Sequence, residues 1–122
     1  MKKILIFSLL LALSASFVMA DSINLGNFPL GKYLDDNYDA VWEFTTGNIR
    51  ILSPAGAVLY DFNGKTIRDF KVGLEGSNPM ITFSCDESER SYKFVKPLTK
   101  PDLEMSIQAP WDSDYSVTLI KQ

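Results

Sequence analysis

From about Asp39 to the C-terminus, apolar residues recur at every second position, and turn-forming runs interrupt the alternation roughly every ten residues. A period of two sends successive side chains to opposite faces, so such a chain buries a surface only as strands. No helical period competes with it, and the chain reads as all-β. Eight strands are predicted, in about the ranges 39–46, 48–53, 57–62, 65–75, 80–85, 90–96, 102–108 and 114–121. Thr46-Gly47-Asn48, Pro54-Ala55-Gly56, Gly76-Ser77-Asn78-Pro79, Asp86-Glu87-Ser88-Glu89, 97–101 and Pro110-Trp111-Asp112-Ser113 supply the connections. Asn63-Gly64 is the strongest turn signal, because a two-residue type I′ hairpin needs φ > 0 at both centres. Ile67 is out of phase with Phe70, Val72 and Leu74, which predicts a bulge near Arg68-Asp69. Short strands at this spacing predict a single small antiparallel up-and-down barrel, since closure removes exposed edges. Residues 39–122 form that domain, and 21–38 form a lead-in whose Ser22 to Asn37 stretch lies across one barrel end as a plug or a short 3₁₀ turn.

Residues 1–20 have a different character. Lys2 and Lys3 precede an apolar run from Ile4 to Val18, and Val18-Met19-Ala20 presents small residues where a signal peptidase cuts. A transmembrane helix is the competing reading, but the run is about 15 residues against the roughly 20 a bilayer core needs. A cleaved signal peptide is therefore expected, with Asp21 as the new first residue. That residue is not cysteine, so the expected product is periplasmic or secreted with no stable membrane anchor. About 100 residues then remain, room for one core.

The leader carries two of the 12 basic residues and none of the 15 acidic ones, so the remaining chain is acidic. It has no cluster of Lys and Arg to neutralise phosphates, and nucleic acid is not an expected partner. Cys85 is the single cysteine, and no intrachain disulfide is available to an exported fold. Alternation puts Cys85 on the face of Ile81 and Phe83. A small buried hydrophobe is the preferred reading, with an interchain disulfide or a reactive thiol as alternatives.

Catalytic chemistry has little to use. Histidine is absent, no serine sits in a Gly-x-Ser-x-Gly elbow, and no cysteine pair could hold zinc. The chain is expected not to be an enzyme and to need no cofactor. Asp35, Asn37 and Asp39 have the alternate oxygen spacing of a calcium loop, but Ala40 and Thr46 stand where that motif needs glycine and glutamate. A solvated turn is preferred to a calcium site there.

Val41-Trp42-Glu43-Phe44-Thr45-Thr46-Gly47-Asn48-Ile49-Arg50-Ile51 resembles the opening hairpin of small bacterial lipocalin-like, calycin-type domains. Strand count and order extend the resemblance over about residues 39–121. The family's glycine before the tryptophan is Ala40 here, and Lys121 is the candidate for its basic residue packed over Trp42. The resemblance implies a small β-barrel that takes a small apolar or amphipathic ligand in its interior or mouth. With the aromatic content, it gives Tyr33, Trp42, Phe44, Tyr60, Phe62, Phe83, Tyr92, Phe94 and Trp111 as candidate ligand-binding residues. Trp111, in a connection, is either a lid or an exposed interface anchor. The alternative function is a protein-binding module with a filled core, an inhibitor or envelope interaction protein, including pairing with a second copy.

Overall fold

The computed structural model describes residues 21–122, and the expected signal peptide lies outside them. Nine strands form one antiparallel sheet. They are β1 (Gly31–Asp35), β2 (Ala40–Thr45), β3 (Asn48–Leu52), β4 (Val58–Asp61), β5 (Ile67–Glu75), β6 (Asn78–Cys85), β7 (Arg90–Val95), β8 (Leu103–Gln108) and β9 (Tyr115–Lys121). Their order across the sheet is β4-β3-β2-β1-β9-β8-β7-β6-β5, curled into a half-barrel that does not close. The all-β, up-and-down expectation holds, while the expected eight strands and closed barrel do not.

The ninth strand explains the open wall. Every neighbouring pair is antiparallel, so the two edge strands of a nine-stranded sheet, β4 and β5, run in the same direction. An antiparallel ladder cannot join them, and Asn63-Gly64 makes no hairpin. Instead Lys65 N–H closes a single turn on the Phe62 carbonyl (3.1 Å), with positive φ at Gly64 (84°) and not at Asn63. Asp61 Oδ1 accepts the Asn63 N–H (2.9 Å) and an Asn48 Nδ2 hydrogen (2.8 Å), which fixes an Asx turn in place of type I′. The chain steps sideways from β4 to β5.

β1 was hidden because its inward positions are Tyr33 and Asp35, and a carboxylate facing inward breaks the apolar alternation. The stretch read as a lead-in therefore divides. Leu25 and Phe28 plug the barrel end beside the 46–47 turn: Leu25 N–H donates to the Thr46 carbonyl (2.9 Å), and Phe28 packs 6.1 Å from Phe44. Gly31 to Asp35 then pairs with β2 along its length and with β9 at Tyr33↔Lys121 and Leu34↔Ile120. Asp21 ties down the free edge of β5, its N–H donating to the Ile67 carbonyl (2.7 Å) and its carboxylate accepting from Phe70 N–H (2.9 Å). The expected bulge is present as a register shift between Arg68 and Lys71, with Asp69 at φ 54°.

The curled face buries Phe44, Phe62, Phe83 and Phe94, whose rings interlock at 5.1–6.3 Å in edge-to-face and stacked pairs. Cys85 shares this face at 1% exposure, its sulfur 3.6 Å from the Tyr60 hydroxyl. A sulfur held there cannot meet a partner's sulfur without opening the sheet. In the folded protein Cys85 is expected to resist a bulky disulfide reagent such as dithionitrobenzoate, and to react in one step with global unfolding in urea. Rapid stoichiometric labelling with native circular dichroism retained would refute its burial.

A recess at the open end of the half-barrel

The antiparallel register brings the starts of β2, β7 and β9 and the ends of β1, β3 and β8 to one end, opposite the Leu25–Phe28 plug. Their inward residues there border a two-lobed recess. The smaller lobe, about 210 Å³, lies between Trp42, Ile51, Tyr60, Arg90, Tyr92 and Ile107. The larger, about 480 Å³, shares Trp42, Ile51, Arg90 and Ile107 and runs on to Tyr38, Tyr115 and the 109–114 connection. Both lobes have walls made mostly of rings and aliphatic side chains.

Cross-strand partnership explains the wall. Tyr33, Trp42, Ile51 and Tyr60 are successive partners across β1 to β4, so their side chains share the curled face, as Phe83, Tyr92 and Ile107 do across β6 to β8. Phe62 and Phe94 sit beneath Trp42, at 6.0 and 5.4 Å, and Tyr92 flanks it at 6.0 Å. The phenol oxygens of Tyr92 and Tyr60 are tied back into the fold. Tyr92 donates to Ser88 Oγ (2.8 Å), and the Tyr60 hydroxyl contacts the Cys85 sulfur.

Of the nine aromatic candidates, Trp42, Tyr60 and Tyr92 line the recess. Phe44, Phe62, Phe83 and Phe94 belong to the packed core beneath it. Tyr33 is buried in that core, with the Lys121 ammonium 5.1 Å from its ring centre. The basic residue that the resemblance places over Trp42 thus lies over Tyr33, the partner of Trp42 on the neighbouring strand. Trp111 is 55% exposed and carries the Arg90 guanidinium 5.2 Å above its ring, at the rim. Ile51, Ile107 and Arg90 border the recess and lie outside the nine aromatic candidates. The two isoleucines were legible as inward strand-end positions, but Arg90 follows a charged turn and reads as an ordinary surface residue.

The calcium-spaced residues form the turn between β1 and β2. Asp35, at 2% exposure, accepts the Tyr115 hydroxyl at 3.0 and 2.9 Å and the Asn37 N–H at 2.9 Å. Asn37 Nδ2 donates to the same hydroxyl (3.0 Å), and Asp39 takes the turn's positive φ of 51°. The Asp35 oxygens that would face an ion face Tyr115, and no group of three acidic or cysteine side chains converges among the described residues. A separate depression of about 500 Å³ on the outer face is bordered by outward-facing side chains such as Lys71, Ser84, Ser91 and Gln108.

Burial pushes the Tyr60, Tyr92 and Tyr115 hydroxyls above the usual phenol range, reinforced at Tyr60 by Cys85. A pKa raised on folding makes the unfolded chain release its proton first. The stability these phenols confer is therefore whole below about pH 10 and is lost as pH climbs through the folded values. The denaturant midpoint is expected to be insensitive to these groups up to about pH 9 and to fall above about pH 10. Phenolate absorbance from these three should rise together with loss of structure. Its full appearance near pH 10 in a folded protein would contradict their burial.

Comparison of the chain with protein-family models, with curated proteins and with solved structures finds no match, so the recess is read from its own chemistry.

Proposed function

We propose that the chain is an exported, non-enzymatic β protein that holds one small apolar or amphipathic molecule at the mouth of its half-barrel. The observation that carries this reading is the recess between Trp42, Ile51, Tyr60, Tyr92 and Ile107, at the end opposite the plug. Its size and apolar walls suit a small organic ligand. The interior beneath it is occupied by phenylalanine rings, which favours the mouth over the interior as the seat. Export to the periplasm or beyond rests on residues 1–20, and the lipocalin-like resemblance on the Val41–Ile51 hairpin and the up-and-down order.

The test uses N-phenyl-1-naphthylamine, a neutral dye that fluoresces in apolar surroundings. Saturable binding at one site per chain is expected, with Ile107→Arg, which drives a charged chain into the mouth, weakening it at least tenfold. Absence of saturable enhancement by the folded protein would overturn the reading.

One observation favours the second reading, a self-associating module. The open edges carry exposed Val58 and Leu59 on β4 and Val72 and Leu74 on β5, and unpaired edges invite strand addition. Native mass spectrometry of the exported protein separates the two: a monomer carrying a small-molecule adduct supports the first, a ligand-free dimer the second.

A further inference from the structure

We infer that the recess selects amphipathic molecules with an anionic group, a carboxylate, sulfonate or phosphate, which Arg90 receives at the rim while the apolar body enters between Trp42, Tyr60 and Tyr92. This rests on the proposed function and names its substrate class.

The charge pattern carries the inference. Among the described residues Arg50 pairs with Glu43 (2.6 Å), Arg68 with Asp86 (2.8 Å) and Lys93 with Glu75. Arg90 pairs with no carboxylate. Its guanidinium spends one donor on the Ser88 carbonyl (3.1 Å) and lies over the Trp111 ring, although it borders both lobes of the recess. The smaller lobe holds no acidic residue. The acids of the larger lobe are each committed to a donor of the fold. Asp35 takes Tyr115 and Asn37, Asp112 takes the Ser113 N–H (2.7 Å), and Asp114 takes Gln108 Nε2 (3.4 Å). In a chain with net charge −3, the arginine that has no acidic partner among the described residues stands at the mouth of this recess.

Guanidinium suits that place. It holds its charge at all relevant pH values, presents five donors in a plane that matches a carboxylate or phosphate edge, and stacks on tryptophan while still donating at its edge. An anion bonded there would also stand beside apolar walls, where water competes less for the charge. In the smaller lobe a cationic ligand would instead meet Arg90 with no carboxylate to offset it.

The test compares two probes that share a phenylaminonaphthalene body. One is neutral N-phenyl-1-naphthylamine, and the other is 8-anilinonaphthalene-1-sulfonate, which adds a single negative charge. Wild-type protein is expected to bind the sulfonate about tenfold more tightly, and this preference should shrink as salt is raised. Arg90→Gln should erase this roughly tenfold preference by weakening the sulfonate far more than the neutral dye, with Arg90→Lys between. Equal affinity of wild type for both dyes, or equal weakening of both by Arg90→Gln, overturns the inference and leaves the recess standing. Failure of both dyes to bind wild type overturns the recess and the inference together.

Discussion

Phe62→Ala is expected to cost about 3–5 kcal/mol and to leave the domain near the edge of unfolding. Phe62 lies in the step between β4 and β5, outside any strand, at 1% exposure. Its ring meets Tyr60 of β4 (5.0 Å), Trp42 of β2 (6.0 Å), Phe83 of β6 (5.5 Å) and Tyr92 of β7 (5.3 Å). The wall there has no ladder, and on the opposite side β1 and β9 pair at only two positions. Across the open wall this ring links β2 and β4 to β6 and β7, beside the Trp42–Phe94 and Phe44–Phe94 contacts and the Tyr60–Cys85 contact. Alanine would leave a void among four aromatic neighbours that are pinned by their own strands and cannot collapse to fill it. Phe62→Leu, which keeps much of the volume, should cost about 1–1.5 kcal/mol. Leu74→Ala on the exposed end of β5 should stay within about 0.5 kcal/mol. Urea denaturation followed by circular dichroism measures all three. A loss below about 1.5 kcal/mol for Phe62→Ala would mean that the two halves do not depend on this contact.

The same region shows where reading the sequence reaches its limit. Period two located β2 to β9 to within a few residues, because for a strand with one face in a core the alternation records burial directly. It failed at β1, where Asp35 occupies an inward position that the Tyr115 hydroxyl makes tolerable from 80 residues away. That single missed strand changes the parity of the sheet. Eight strands allow an antiparallel closure and a hairpin at Asn63-Gly64, whereas nine forbid both. The strongest local turn signal was therefore overruled by strand number, a property of the whole sheet that no local window contains.

The recess was partly legible. Trp42, Tyr60 and Tyr92 fall at inward positions and were among the candidate ligand residues. Phe44, Phe62, Phe83 and Phe94 share the same alternation and the same aromatic character, yet they fill the core. The difference is height along the barrel, which depends on how far each strand is offset from the next, and the plug by Leu25 and Phe28 decides which end stays open. Neither is encoded in periodicity. Arg90 was invisible for a related reason: its meaning comes from the carboxylates it does not meet.

Asp35→Ala and Tyr115→Phe are expected to cost about 2–3 kcal/mol each, and the double variant clearly less than their sum. Asp35 closes β1, and Tyr115 opens β9, so their hydrogen bond spans a seam whose ladder has two paired positions and the Gln122 N–H bond to the Lys32 carbonyl (2.9 Å). Removing the hydroxyl leaves a carboxylate at 2% exposure with the Asn37 N–H as its remaining donor, at the cost of a weakly solvated charge. Removing the carboxylate takes the acceptor from the Tyr115 hydroxyl and the Asn37 N–H, leaving the hydroxyl its bond from Asn37 Nδ2. Once either partner is gone, loss of the other forfeits little more. A double-mutant cycle in urea should therefore return a coupling of about 1.5–3 kcal/mol, against the few tenths expected of an exposed pair such as Lys93 and Glu75. Strict additivity would show that the seam does not rest on this bond. Because the same pair walls the larger lobe, Tyr115→Phe should weaken both dyes alike, whereas Arg90→Gln weakens the sulfonate selectively. A seam variant that abolished dye binding while the smaller lobe's own residues remained intact would show that the mouth is held open from β1 and β9, not from Trp42 and Tyr92.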